Sequence, residues 1–76
     1  MNLKEFNERL NKINLNLRVD KRVSYDNGKV SYDTWLEYWN HTNNKWSILH
    51  TLGYFKSEEV AMNKTKNWLE INKIKY

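Results

Sequence analysis

The amino-acid sequence predicts an α+β fold with the order α-β-β-β-α, a three-stranded antiparallel meander with helices on one face. Apolar residues recur every three or four positions towards both ends of the chain, as they do in amphipathic helices. In between, apolar and polar residues alternate, which is the period of a strand, and two turn-forming stretches interrupt the alternation. The 76 residues contain no linker, repeat or low-complexity tract, so we expect a single domain over residues 1–76.

The first predicted element is a helix over residues 3–13. Leu3, Phe6, Leu10 and Ile13 follow one another at three- and four-residue steps, which places them on one side of a helix. Asn2 precedes them, and its side chain can accept a free backbone N–H group of the first turn as an N-cap.

A β-hairpin is predicted around Asn27-Gly28, because both residues tolerate the positive φ that a type I′ turn requires. A two-residue loop sets Arg22 opposite Asp33 and Arg18 opposite Glu37, so that opposite charges face each other. The same register gathers apolar residues on one face of the two strands: Leu17, Val19, Val23, Tyr25, Val30, Tyr32, Leu36 and Tyr38.

The third strand is expected after a turn that sets His41 opposite Lys45. The loop of this turn is Thr42-Asn43-Asn44, with Asn44 in the left-handed conformation that asparagine tolerates. This register puts an apolar set on the helix-covered face, with His50 among them: Trp46, Ile48, Leu52 and Tyr54.

A second helix is predicted from Ser57 onwards. Ser57 is a suitable N-cap, and the two glutamates that follow it suit the positive end of the helix dipole. The buried stripe of this helix is expected to consist of Ala61, Thr65, Trp68 and Leu69. We interpret Lys64 and Lys66 as part of a solvated face.

The side chains do not form a recognisable catalytic constellation. His41 and His50 fall on opposite faces of the sheet in the predicted registers, and His50 is expected to be a hydrogen-bonded core residue. Cross-strand pairing accounts for the three acidic residues of the first two strands: Asp20, Asp33 and Glu37. The sequence has no cysteine and no glycine-rich phosphate loop. We therefore expect no enzyme activity, no cofactor, no metal site and no small-molecule substrate.

Composition also bears on location and source. No apolar run approaches the roughly 20 residues of a membrane span, and no secretory signal is evident, which predicts a cytoplasmic protein of a bacterial host cell without a membrane partner. The abundance of Asn and Lys and the absence of Pro are typical of low-GC bacteria and their phages. The net charge of +4 is compatible with a polyanionic partner but does not require one.

The informative feature is the sheet face that the helices leave open. The registers put Trp35, Trp39 and Leu49 on this face, and large exposed aromatic side chains mark contact surfaces. The alternative is that the two tryptophans lie on the core side of the sheet, or that the first helix covers them. The full set of candidate binding residues adds the charged neighbours and the lysines at the turns: Arg18, Arg22, Lys29, Trp35, Glu37, Trp39, Lys45 and Leu49.

Residues 45–69 resemble the Apetala-type (ethylene-response-factor) DNA-binding domain and its relatives in phage homing endonucleases and in the arm-binding domains of tyrosine recombinases. The resemblance rests on a tryptophan-bearing strand, a Leu-Gly-Tyr-Phe segment, and a Ser-capped helix with acidic residues and an alanine, here Trp46, Leu52-Gly53-Tyr54-Phe55, Ser57, Glu58-Glu59 and Ala61. It implies a sheet that enters the major groove of duplex DNA, with contacts from Arg18, Arg22, Trp35 and Trp39 and with Lys29 and Lys45 reaching phosphates. The element order also resembles that of double-stranded-RNA-binding domains, but Glu58-Glu59 replace their basic cluster.

Two functional hypotheses follow, and the residues that carry the resemblance favour the first. In the first, the chain is a DNA-binding accessory of a phage or mobile element that reads duplex DNA with its sheet. In the second, the same face binds a host protein, alone or in a nucleoprotein complex, as in small phage-encoded inhibitors of host defence nucleases such as anti-CRISPR proteins. Asp20, Asp33 and Glu37 make the face nearly neutral, which suits a protein partner better than phosphates.

Overall fold

The computed structural model describes residues 1–76 and has the predicted order of elements. Its two helices and three strands are α1 (Leu3–Asn11), β1 (Leu15–Val23), β2 (Val30–Asn40), β3 (Lys45–Phe55) and α2 (Glu58–Ile71). The strands form one antiparallel sheet in the order β1-β2-β3. The α+β meander with helices on one face is therefore confirmed.

Both helices begin at the predicted caps. The Asn2 side chain accepts a hydrogen bond from the Glu5 backbone N–H at 2.8 Å, and the Ser57 hydroxyl accepts one from the Val60 N–H at 3.1 Å. The first helix ends at Asn11, two residues before Ile13, because Asn14 adopts a left-handed φ of 60° and turns the chain towards β1.

The hydrophobic core lies between the helices and the even-numbered side of β2. Its fully or nearly fully buried residues are Phe6, Leu10, Leu15, Leu17, Leu36, Met62 and Leu69. Ala61 and Thr65 of the predicted α2 stripe are also buried, and the Thr65 hydroxyl donates to the Ala61 carbonyl at 2.8 Å. The stripe was also predicted to contain Leu69, which is one of the core residues above, and Trp68, which is half-buried at the edge of the core. Burying each Leu or Phe side chain stabilises the fold by roughly 1.5–3 kcal/mol.

The edge of β1 is covered by α1. The Asn7 amide nitrogen donates to the Leu17 carbonyl at 3.0 Å, and the Leu17 N–H donates to the Asn7 amide oxygen at 2.7 Å. Asn11, one turn later, donates to the Leu15 carbonyl at 3.0 Å. These side chains take the place of a neighbouring strand, so the first half of β1 does not present free backbone groups.

The first hairpin has a longer loop than predicted. Gly28 has a φ of 68°, but Asn27 does not have the positive φ of a type I′ turn; its side-chain oxygen instead accepts the Lys29 N–H at 2.9 Å. Ser24 and Lys29 close the loop, with the Ser24 N–H donating to the Lys29 carbonyl at 2.9 Å. Tyr25 therefore lies in the loop, fully exposed, and its predicted place on the apolar face of the strands is wrong.

The register of β1 against β2 is displaced by two residues from the predicted one. Leu17 faces Leu36, and Arg18 faces Trp35 instead of Glu37. Arg22 faces Ser31, although its guanidinium still reaches the Asp33 carboxylate at 3.4 Å. A displacement by two positions leaves every side chain on its predicted face, because side chains alternate with a period of two.

The second hairpin differs from the prediction, and the difference changes the side of the sheet on which several β3 side chains lie. Asn40, not His41, pairs with Lys45, so the loop has four residues, and Asn44 has the expected left-handed φ of 52°. The register against β2 then shifts twice, and Leu49 and Leu52 are the residues of β3 left without a partner. Each is a β-bulge, which turns the following residues to the other face. Gly53, with a φ of 123°, stands directly after the second bulge.

Candidate binding face

The side of the sheet opposite the core is not covered by either helix. Thr34 and Leu36 are fully buried on the helix side, so the odd-numbered residues of β2 and their partners lie on the other side. We call this surface the open face. Its members are Asn16, Arg18, Asp20, Arg22, Ser31, Asp33, Trp35, Glu37, Trp39, Trp46, Ile48, Thr51 and Tyr54. The alternative in which α1 covers the tryptophans is wrong.

Aromatic and aliphatic side chains occupy the middle and the β3 side of the open face. The Trp39 and Trp46 rings pack edge to face, with centroids 5.5 Å apart and an interplanar angle of 75°. Ile48 and Tyr54 are 62% and 65% exposed. Ile48 lies beside the aromatic pair, whereas Tyr54 lies towards the other end of β3. Apolar side chains this exposed gain free energy when a partner covers them.

Glu37 holds Trp35 in place on the open face. One carboxylate oxygen accepts the indole N–H of Trp35 at 3.3 Å, and the other accepts the Asn16 amide at 3.2 Å. The Arg18 guanidinium lies over the Trp35 ring, 5.8 Å from its centroid. Trp35 is thus fixed by a hydrogen bond at its polar end and a cation–π contact at its face.

The charges of the open face are paired with one another. Arg18 lies 3.8 Å from the Asp20 carboxylate, and Arg22 lies 3.4 Å from that of Asp33. With Glu37, the face holds two arginines and three carboxylates, a net charge of −1. Since the whole chain has a net charge of +4, the residues outside the open face carry +5.

Five of the eight predicted binding residues lie on the open face: Arg18, Arg22, Trp35, Glu37 and Trp39. Lys29 lies in the first hairpin loop and Lys45 beside the second, at opposite ends of the eleven-residue strand β2. At about 3.3 Å per residue they are on the order of 30 Å apart, so one small site does not include both. Leu49 is exposed but sits at the first bulge, outside the paired register.

Three residues of the open face were predicted on the helix side. Trp46, Ile48 and Tyr54 face Trp39, Glu37 and Asp33, respectively, because the two bulges reverse the ends of β3. The predicted register also implies that Ser47 lies on the open face, whereas it faces Tyr38 on the helix side. A glycine inside a strand pattern is a known sign of a bulge. Gly53 could therefore have indicated the second bulge, which places Tyr54 on the open face. The first bulge, at Leu49, has no glycine beside it that could have indicated it in the sequence.

The histidines do not take part in the open face. His41 is exposed in the second loop, whereas the His50 ring stacks on Trp68 with centroids 4.6 Å apart and an angle of 17°. His50 is on the helix side as predicted, but stacking replaces the expected hydrogen bond. No three His, Asp or Glu side chains are grouped as metal ligands.

No protein-family model, curated protein or solved structure matches the chain. Neither α1 nor α2 has the length and apolar character needed to cross a membrane.

Proposed function

We propose that this chain is a non-enzymatic binding domain that holds a protein partner on its open face. The exposed apolar surface around the Trp39–Trp46 pair carries the proposal, since neither helix covers it. Tryptophan, tyrosine and arginine dominate the energetic centres of protein interfaces, and all three residue types occur together on this face.

The charges of the open face favour a protein over duplex DNA. A DNA-binding surface is strongly positive, because its Lys and Arg side chains neutralise phosphates. Here both arginines are already within 4 Å of carboxylates, and the face has a net charge of −1. Asp33 and Glu37 would be brought close to phosphates if the sheet entered the major groove, which is unfavourable. A partner with an apolar patch and a Lys- or Arg-containing rim complements this face.

The open face is also ordered before a partner arrives. Because Glu37 and Arg18 restrain Trp35 and Trp39 and Trp46 restrain each other, little side-chain entropy is lost on binding. These properties support a protein partner on the open face, as in the second of the two hypotheses.

The experiment compares two isoleucines with similar exposure on different surfaces. Ile48 is on the open face and 62% exposed; Ile71 is on α2 and 72% exposed. The tagged chain and its Ile48→Glu and Ile71→Glu variants are used to capture proteins from a bacterial lysate, and the captured partner is then purified for titration. Loss of a central interface residue costs at least about 2 kcal/mol, or roughly thirtyfold in affinity.

We expect Ile48→Glu to lose the partner and Ile71→Glu to retain it, with thermal unfolding midpoints close to that of the wild type. Equal recovery by the two variants would exclude the open face as the binding surface. Capture of duplex DNA by the wild type, abolished by Ile48→Glu, would favour the DNA hypothesis instead.

A further inference from the structure

The largest concavity of the molecule lies on the helix side, away from the open face. It has a volume of about 790 Å³ and is formed by α1, the end of α2 and the C-terminal segment. Four cations and one carboxylate line it: Arg9, Lys66, Lys73, Lys75 and Glu70. We call it the basic groove.

Neither ion pair of the structure involves a cation of the basic groove. The two ion pairs of the structure, Arg18–Asp20 and Arg22–Asp33, are both on the open face. Arg9 lies 5.2 Å from the Tyr76 ring centroid and donates to the main-chain oxygen of Tyr76 at 3.3 Å. The Lys66 ammonium lies 5.8 Å from the centroid of the Phe6 ring. Aromatic rings position these two cations without neutralising their charge.

The positions of Lys73 and Lys75 depend on how α2 ends. Lys73 has a left-handed φ of 57°, and the Ile74 N–H then donates to the Leu69 carbonyl at 2.9 Å. This helix-ending motif turns the chain back towards α1. Tyr76 packs edge to face on Phe6, with centroids 5.4 Å apart, so the segment that carries both lysines is held against the fold.

The basic groove continues along α2 as a track. A second concavity of about 390 Å³ shares Lys66 and Glu70 with it and adds Lys64 with the polar side chains of Asn63 and Asn67. The cations of this track are exposed, apart from the half-buried Lys66, so they do not enclose one compact anion. An open, elongated track of basic side chains suits a ligand that carries a series of phosphates.

We propose that the basic groove binds the phosphate backbone of a nucleic acid, independently of the protein site on the open face. Lys64 and Lys66, interpreted from the sequence as a solvated face, then belong to a binding surface together with Arg9, Lys73 and Lys75. Recognition through phosphates predicts weak dependence on nucleotide sequence and strong dependence on salt.

The test measures fluorescence anisotropy of labelled single-stranded and duplex oligonucleotides at several salt concentrations. It compares the wild type with two charge-matched double variants, Lys73→Glu with Lys75→Glu in the basic groove and Lys21→Glu with Lys29→Glu near the first hairpin. Removing two phosphate contacts should flatten the plot of log affinity against log salt by about 1.4 to 1.8. Thermal unfolding checks that each variant folds, and Lys73→Gln with Lys75→Gln replaces the first variant if it does not.

We expect the groove variant to lose at least about tenfold in affinity at low salt, where the phosphate term is largest, and the hairpin variant to lose much less. The proposal is overturned if the wild type binds neither oligonucleotide at low salt, or if both variants lose affinity equally. It is also overturned if the hairpin variant loses more, since Lys29 was predicted to reach phosphates from the sheet. Binding to phosphatidylserine vesicles but to neither oligonucleotide would likewise reject a nucleic acid.

Discussion

Asn7 shows how one side chain can serve as part of a sheet. Its amide exchanges two hydrogen bonds with the backbone of Leu17 at 2.7 and 3.0 Å, as a residue of a neighbouring strand does. Leu17 is 1% exposed, so water has poor access to these backbone groups. From the sequence, Asn7 was predicted only to be helical. The periodicity of α1 indicates which side of the helix is apolar, but it does not indicate which groups the neighbouring polar side chains contact.

The Asn7→Ala variant should lower the free energy of unfolding by about 1–3 kcal/mol, the cost of leaving buried backbone groups unpaired. Asn67→Ala is the matched control, because Asn67 lies within α2 and is exposed. Both variants gain helix propensity, so the difference between them isolates the two hydrogen bonds. Urea denaturation measures it. Equal stability of the two variants would show that the Asn7 bonds contribute nothing.

At the scale of elements, the sequence predicts strands more reliably than it predicts their pairing. The faces of β1 and β2 are as predicted although the register is not, because the loop of the first hairpin is longer by an even number of residues than expected. The faces of β3 are wrong at both ends, because each bulge adds a single residue. Alternation of apolar residues continues through a bulge without a visible break, so the pattern could not reveal that Trp46 and Ile48 belong to the open face.

Gly53 makes the second bulge possible, and its replacement tests that role. A φ of 123° lies outside the left-handed region that other residues can enter, whereas the φ of 68° at Gly28 lies at its border. Gly53→Ala should therefore cost about 2–3 kcal/mol of unfolding free energy and Gly28→Ala about 1 kcal/mol.

The two glycine variants can be compared directly, because there is room for the added methyl group at both positions. At Gly28 it has no neighbour within 4 Å, and at Gly53 its only neighbour is the tip of the Phe55 ring, at 3.9 Å. Steric overlap is thus excluded as the cause at both positions. If urea denaturation gives the same loss of unfolding free energy for both variants, the backbone conformation of Gly53 is not needed for the second bulge. The position of Tyr54 on the open face would then not depend on Gly53.

At the scale of the whole molecule, the charge is divided between two sides of the sheet. The open face carries a net charge of −1, whereas the basic groove has four cations for one carboxylate. Arg18 and Arg22, which were predicted to contact DNA, are paired with carboxylates. Lys64 and Lys66, which were predicted to belong to a solvated face, line the track along α2. The sequence could not show this division, because it arises from which elements the fold brings together. The two proposed binding surfaces therefore lie on opposite sides of the sheet.

The two proposed sites should respond separately to substitution. Ile48→Glu should abolish capture of the protein partner and leave oligonucleotide affinity within about twofold, because the shortest dimension of the molecule, 21 Å, exceeds the screening length of about 10 Å at 0.1 M salt. Lys73→Glu with Lys75→Glu should have the opposite effect in the same two assays. If each variant impairs both activities while its thermal midpoint is unchanged, a single surface serves both ligands. If one activity is absent from the wild type, only the proposal for that side of the sheet fails, since no residue is shared between the open face and the basic groove.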